Sequence, residues 1–385
     1  MQAGTAIRDT LLLLALAPFG YYLVALYAAH KFFRGGPPSA TDFHPPISIL
    51  KPIRGLDRET YDNFASFCRQ DYPEFEILFC VGDSSEPAIP VIEQIIQDFP
   101  ERSVRLLIGS DPLGVNDKVN KLCRMVREGK HDLILVSDSD VRVEQGFLKK
   151  VAAAFRDPKV GGVTCLYRGD TDGSFASNLE ALGNSTDFAP SVLVARQLRG
   201  LDFMLGAVMA TTKRQLASIG GFEALVNYLA DDYELGNRIS LRACRVELSS
   251  FVVSIVYPRQ TLWDAFRHQL RWNLAIRCSR PAGHFGLVFS QGFPWTLLAM
   301  VMAPDRAVAL AYVATYCGLR CAMAGLIGFR GMNDPLARKF WLLPVRDAFA
   351  FVVWLASFFP QRIHWRGQEF YVRDKQLVPA TPRHP

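Results

Sequence analysis

From Thr10 to Ala29 the chain reads TLLLLALAPFGYYLVALYAA, twenty residues without a charge. A helix rises about 1.5 Å per residue, so this run matches a hydrocarbon core about 30 Å thick and is expected to span a membrane. A cleaved secretory signal is the rival reading, but such signals carry an apolar stretch of only about 7–15 residues that ends in small residues. This run ends in His30, Lys31 and Arg34 instead. That basic flank argues for a retained span and places the residues after it in the cytoplasm.

The other apolar stretches lie at the far end. Residues 285–304 and 307–329 are both long enough to span, the second in spite of Arg320. A third run, 340–360, is broken by Pro344, Arg346 and Asp347 and is expected to be re-entrant or interfacial. Apolar residues make up 50 % of the 385, which excludes a disordered or fibrous chain. The net charge of +6 arises from 43 basic and 37 acidic residues, without the basic block or aromatic–basic interleave of a nucleic-acid binder. It suits an anionic membrane face. Eight scattered cysteines, none in a CxxC pair or at zinc spacing, fit a reducing compartment. Cys317 and Cys321 share one helix face and are expected to be packing residues.

Between the apolar ends the pattern changes. A Gly/Pro-rich linker at 35–46 (GGPPSATDFHPP) is followed by alternating segments. Strands are expected at 47–50, 75–82, 104–109 and 132–137, with helices at 57–70, 87–100 and 115–129 between them. Short continuous apolar strands separated by amphipathic helices predict an α/β domain with a parallel sheet covered on both faces. Ligands of such sheets bind at the carboxyl ends of the strands. The chain is accordingly divided into an N-terminal span with its basic flank (1–34), the linker (35–46), a cytoplasmic α/β domain (47–258) and an interfacial helix (259–284). Transmembrane or re-entrant helices (285–361) and a tail (362–385) follow.

Three acidic sites lie where a strand ends or a loop begins. Asp83 closes FEILFCVGD, Asp138 and Asp140 close DLILVSDSD, and Asp231 with Asp232 stands in YLADDYELG. Two carboxylates at i and i+2 just past a buried strand can aim oxygens at one hard cation that already carries a diphosphate. The bare D-x-D pattern also recurs in turns. Asp83 can accept hydrogen bonds from a nucleobase or ribose, or simply cap its own turn. Asp231 and Asp232 suit a solvated helix start or a general base, since crowding and desolvation raise a carboxyl pKa toward neutrality. The segment 260–273, QTLWDAFRHQLRWN, has Trp263, Phe266, Leu270 and Leu274 as an apolar stripe with Arg267, His268 and Arg271 on another face. It reads as a helix lying on the membrane surface, able also to present an arginine to a diphosphate and a tryptophan to an acceptor.

With Asp83, SDSD, LADDYELG and HQLRW in this order, and membrane-type segments behind them, the chain resembles membrane glycosyltransferases of the nucleotide-diphospho-sugar fold (GT-A type). It is most similar to the ceramide glucosyltransferase family and its bacterial relatives, which include hopanoid-biosynthesis glycosyltransferases. The blocks that carry the resemblance are PPISILKPIRGLD, SFCRQDYPEFEILFCVGDSSEPAI, VNDKVNKL, SDSDVRV, LADDYELG, HQLRW and IHWRG. By resemblance Asp83 contacts the uridine moiety, Lys51, Lys118 and Asp138 lie at the nucleotide-sugar, and Asp138 with Asp140 holds Mg²⁺ or Mn²⁺. Asp232 is implied to deprotonate the acceptor hydroxyl. The family's (Q/R)xxRW signature becomes His268, Arg271 and Trp272, with histidine in place of the usual first residue.

The resemblance implies an inverting transferase that moves a hexose, glucose first, from a UDP-sugar to a membrane lipid such as ceramide. Its expected setting is an integral, multi-pass membrane protein with a cytoplasmic catalytic domain, in a bacterial inner membrane or, for a eukaryote, the Golgi. Hopanoid or other lipid acceptors and UDP-N-acetylglucosamine as donor stay open. So do a processive polysaccharide synthase, a polyprenyl-phosphate sugar transferase and a catalytically silent membrane binding protein. The sequon NST at 184–186 is expected to go unused in a cytoplasmic domain.

Overall fold

Four apolar runs become the strands β1 (Ile47–Pro52), β2 (Phe75–Val81), β3 (Ser103–Ile108) and β4 (Leu133–Ser137) of one sheet. β1, β2 and β4 are buried along their whole length, as continuous apolar strands covered on both faces must be. The computed structural model describes residues 2–35, 42–359, 363–365, 368–373 and 375–379. The linker core 36–41, Arg366 and Gly367 of IHWRG and the last six residues lie outside the described residues.

The sheet continues through β5 (Val141–Arg142), β6 (Val160–Asp170), β7 (Val208–Thr212) and β8 (Arg245–Val256), in the order β3-β2-β1-β4-β7-β6-β8-β5. β1 runs parallel to β2 and β4, and β2 to β3, as expected. The second half departs from the expected parallel sheet. β7 is antiparallel to β4 and β6, β8 is parallel to β6, and β5 is antiparallel to β8. Apolar runs reveal that strands exist, but neighbours and directions are set by long connections whose course no local period encodes. A smaller antiparallel sheet at the C terminus joins β9 (Ile363–Trp365), β10 (Gln368–Arg373) and β11 (Gln376–Pro379).

Two compact units are interleaved in sequence. The sheet unit comprises residues 36–170, 199–258 and 362–385; the helical unit comprises 1–35, 171–198 and 259–361. Residues 171–198, which the sequence groups with the α/β domain, pack instead among the helices.

In the helical unit, the helical stretches Gly4–Arg34, of 31 residues, and Arg306–Gly331, of 26, are long and apolar enough to cross a membrane. The run 285–304 does not form the continuous span expected of it. Its two halves, Pro281–Ser290 and Gly292–Met302, meet at a 52° bend. Pro294, in the first turn of the second half, has no N–H to give to Ser290, so the ladder stops there. The helix Leu343–Ala356 has 14 residues, short of a span. Cys317 and Cys321 are exposed rather than packed, and Asn184, Ser185 and Thr186 of the sequon are buried within this unit.

Arg320 is enclosed here. It bonds Asp347 through Nε at 2.8 Å, the Thr186 carbonyl at 2.7 Å and Asp187 at 2.9 Å, and Tyr316 donates to Asp347 at 2.6 Å. A span carries such a charge only when it faces protein and is paired, as it is here.

Candidate active site

The turn after β4 is fixed from below by Lys51. Because β1 pairs with β4 so that Leu50 stands beside Val136, the next residue, Lys51, comes level with Ser137. Lys51 is fully buried; its Nζ donates to the Asp138 carbonyl at 2.9 Å and to Ser137 Oγ at 3.3 Å, and rests 3.9 Å from the Phe67 ring centre. Burial draws its ammonium down to about 7, against the pull of Asp138, Asp140 and Asp57. Backbone bonds hold the same turn from the sides, Asp138 N–H to the Ala207 carbonyl and Val256 N–H to the Asp140 carbonyl.

Lys118 enters from the helix Asp117–Glu128. Asn116 caps that helix by accepting the Val119 N–H, and its own N–H and amide donate to the carbonyls of Val226 and Tyr228. Lys118 Nζ thereby lies 2.6 Å from Asp138 Oδ1 and 3.9 Å from Asp231 Oδ2.

Asp231 and Asp232 open the helix Asp231–Ser240, where the partial positive charge of the helix start favours carboxylates. Asp232 Oδ1 accepts its neighbour's N–H from Tyr233 at 2.7 Å. Two glycines allow the approach. A Cβ on Gly236 would overlap the Phe203–Met204 backbone, and one on Gly206 would sit 3.2 Å from Asp232 Oδ2 and 3.9 Å from Asp138 Oδ2. The carboxylates of Asp138 and Asp232 thus converge on the bare face of Gly206. Burial, then Asp231, pushes the Asp232 carboxyl up to about 6, with Lys118 opposing.

Asp140 shares this environment. Burial, then Asp138 and Asp57, pushes its carboxyl up to about 7. Asp57, which the sequence reading passed over within PIRGLD, accepts a bond from Ser139 but keeps Oδ2 enclosed and without a partner. Tyr167 on β6 was also missed. It is buried close enough to Asp232, Asp138 and Asp140 that all three hold its phenol proton on, after burial itself. A divalent cation, as the fold implies, fits this donor set. The set has excess negative charge, an orphaned acceptor and a carboxylate that water exclusion keeps half-protonated at neutrality. Among the described residues no three His, Cys, Asp or Glu side chains are grouped to enclose an ion by themselves. Such an ion would complete its shell with substrate or water oxygens.

Asp83 stands exposed past the end of β2, one strand beyond β1. Its Oδ1 accepts the Ser85 N–H at 2.8 Å and the Ser85 hydroxyl, and these bonds hold its carboxyl below the usual range. Its carboxylate therefore hydrogen-bonds within its own turn.

His268, Arg271 and Trp272 belong to the helical unit, on the helix Leu262–Ser279. A capping box fixes its start, with Thr261 and Asp264 satisfying each other's N–H groups. The packed face is Ala265, Gln269, Leu270 and Leu274, while Trp263, expected in the apolar stripe, is exposed and stacks on Phe266. Gln269 turns inward because it donates to the buried Glu180 at 3.2 Å.

Ceramide glucosyltransferase 1 of Caenorhabditis elegans is 31 % identical over 230 residues, covering 59 % of this chain and 49 % of that one. The ceramide glucosyltransferase of Komagataella phaffii is 36 % identical over 150 residues, covering 36 % and 30 %. The matched stretch spans half or less of these curated relatives. Among solved structures, the mannosyltransferase PcManGT from Pyrobaculum calidifontis, in complex with GDP-Man and Mn²⁺, superposes with a TM-score of 0.55. It is 14 % identical and covers 91 % of this chain and 99 % of that chain, a likeness of fold. The sheet unit has the GT-A type fold. A family description, Glycosyl transferase family 21, matches residues 10–378, from the first apolar helix through the acidic cleft to β11; the chain belongs to that family.

Proposed function

We propose that this protein transfers a hexose, glucose first, from a UDP-sugar to the hydroxyl of a membrane lipid, with inversion at the anomeric carbon. The observation that carries the reading is the convergence of Asp138 and Asp232 on Gly206 with Lys118 closing over Asp138. Asp232 takes the proton as the acceptor oxygen attacks the anomeric carbon, and the bond from that carbon to the diphosphate breaks with its electron pair leaving on UDP. A carboxyl near 6 is ionised at neutral pH yet basic enough for this task.

Asp138 and Asp140 would hold Mg²⁺ or Mn²⁺, which when bound neutralises charge on the departing diphosphate. Lys118 adds a second positive charge at the same place. Lys51 keeps the SDSD turn in register from beneath, and Asp83, at the next strand end, is assigned to the uridine moiety. Arg271 and Trp272 are assigned to substrate by resemblance. The lipid acceptor rests on the relatives' names and on the two membrane-length helices. The basic residues Lys31 and Arg34 at the end of the first apolar helix support a cytoplasmic side for the sheet unit.

The test is a screen of radiolabelled UDP-glucose and UDP-N-acetylglucosamine against extracted lipids in detergent. Label on a lipid hydroxyl from UDP-glucose, in the β configuration, is the expected product. Label on soluble sugars alone would refute the lipid assignment, and an α-linked product would refute inversion.

A further inference from the structure

β1 and β2 are parallel neighbours, so the segments that leave their carboxyl ends, residues 53–55 and 83–86, emerge side by side within the sheet unit. Each residue of the first segment is held. The Ile53 N–H donates to the Cys80 carbonyl at 2.8 Å, and its carbonyl accepts from Lys121 Nζ at 2.8 Å. Arg54 stands 3.8 Å from Asp117, to which Lys121 Nζ also donates at 2.9 Å. The Gly55 N–H donates to Glu86 Oε1 at 2.5 Å, where the chain turns through a left-handed φ of 77° that glycine adopts freely.

Two side chains join this segment to the Asp83 turn. Lys121 is buried, and a Cβ on Gly82 would lie 3.9 Å from its Nζ, so the lysine underlies the residue before Asp83 as well as residue 53. Glu86 gives its own N–H to the Asp83 carbonyl at 3.4 Å while its carboxylate holds Gly55. Asp83 Oδ1 is taken by Ser85, and Oδ2 makes no hydrogen bond among the described residues. Lys118 and Lys121 share one helix but divide the work, since Lys118 meets Asp138 and Lys121 meets the ends of β1 and β2. We propose that Lys121 and Glu86 are positioning residues for the uridine side of the donor, locking residues 53–55 and the Asp83 turn into one cradle, a role that rests on the assignment of Asp83 to uridine. The cradle is ordered before the nucleotide arrives, so binding does not bear the entropy of ordering it.

The experiment compares wild type, Lys121→Met, Glu86→Ala and Glu86→Gln as full chains in detergent with Mg²⁺. It measures the Kd of UDP and of inorganic pyrophosphate, which lacks the nucleoside, by calorimetry. We expect K121M and E86A to weaken UDP about tenfold and pyrophosphate less than about twofold, and to raise the donor KM with kcat held within about twofold. Glu86→Gln, whose amide oxygen still accepts the Gly55 N–H, should recover most of the loss. E86A decides the matter should K121M fail to fold. Equal weakening of UDP and pyrophosphate, or a UDP Kd unchanged in the folded variants, overturns the proposal, as does a Glu86→Gln protein no better than Glu86→Ala. A wild type that binds pyrophosphate but not UDP refutes the uridine assignment and the proposal with it, whereas one that binds UDP and transfers no hexose removes the transferase reading alone.

Discussion

Lys118 Nζ lies 2.6 Å from Asp138 Oδ1, so a lysine from the first turn of one helix closes over the carboxylate that follows β4. It is the cation that lets Asp138, Asp231 and Asp232 share one cleft before any substrate enters. Replacing it by methionine keeps the stem and removes the charge. Lys118→Met should lower kcat/KM for the donor about 100-fold, about 2.7 kcal/mol of barrier. Lys118→Arg should lose less. UDP release under limiting donor measures both, and a methionine variant within twofold of wild type would contradict the role.

The Asp232 carboxyl, raised to about 6 by burial and Asp231, gives the pH dependence its sign. Below that pH the folded protein holds a proton on Asp232, and the base is blocked. kcat/KM should therefore climb with pH through about 6 and level off above it, and Asp232→Asn should abolish both the rate and this limb. Stability runs the other way. A carboxyl whose folded pKa is raised favours the fold where it is protonated, and that contribution is lost as pH rises from about 4 through about 6.

Much of this cleft was legible in the sequence, and the reasons it was not wholly so are specific. β1, β2 and β4 were plain because a strand buried on both faces is apolar at every position. Asp138, Asp140 and Asp232 could be singled out by position, directly after such a strand or paired at a helix start, but a turn or a solvated helix start explains the same acids, and the resemblance was needed to give them roles. Lys51 looked like a ligand-binding lysine, and only the β1–β4 register shows it fully enclosed beneath the SDSD turn. Glu180 was invisible because a lone acid in FASNLEALG has no local partner; its partners stand about 80–90 residues further on. Gly183, at the end of the same helix, has the same character. A side chain there would overlap the guanidinium of Arg346, a fact of packing that carries no sequence signal.

Asp140 tests the metal. In the ligand-free protein its carboxyl is pushed up to about 7, first by burial and then by Asp138, so at pH 8 the fold carries an ionised group it disfavours. Asp140→Asn removes that charge. The variant should melt a few degrees higher than wild type at pH 8 in the absence of ligands, and should transfer no hexose. Mn²⁺ with UDP should raise the melting temperature of the wild type and leave the variant unmoved. Exhaustive chelation should stop lipid labelling by the wild type, and undiminished transfer after it would sink the metal assignment.

In the helical unit Arg320 and Asp347 form a buried pair, so removing one partner strands the other. Asp347→Ala should cost about 3–5 kcal/mol and show as loss of folded protein in detergent. The double change Arg320→Met with Asp347→Leu should recover much of that yield, because neither charge is then left alone. If the single and double variants accumulate equally, the pair is not what holds these helices.

The C-terminal strand β11 is tied to the segment around Asp231 and Asp232. Leu377 is 3 % exposed, its N–H donates to the Asn227 carbonyl at 2.8 Å, Gln376 bridges to Tyr228, and Lys375 lies 3.7 Å from Glu234. From there the connection runs inward through Val226 and Tyr228, whose carbonyls hold Asn116, the cap of the helix that presents Lys118. Burying a leucine side chain stabilises by about 1.5–3 kcal/mol, and a carboxylate in its place adds a desolvation cost. Leu377→Asp should therefore release the strand, lower the melting temperature by about 5 °C and raise the donor KM several-fold. Leu377→Met, which keeps the apolar volume, should leave both unchanged. A Leu377→Asp protein with normal melting and normal donor KM would show that the strand lies on this segment without supporting it.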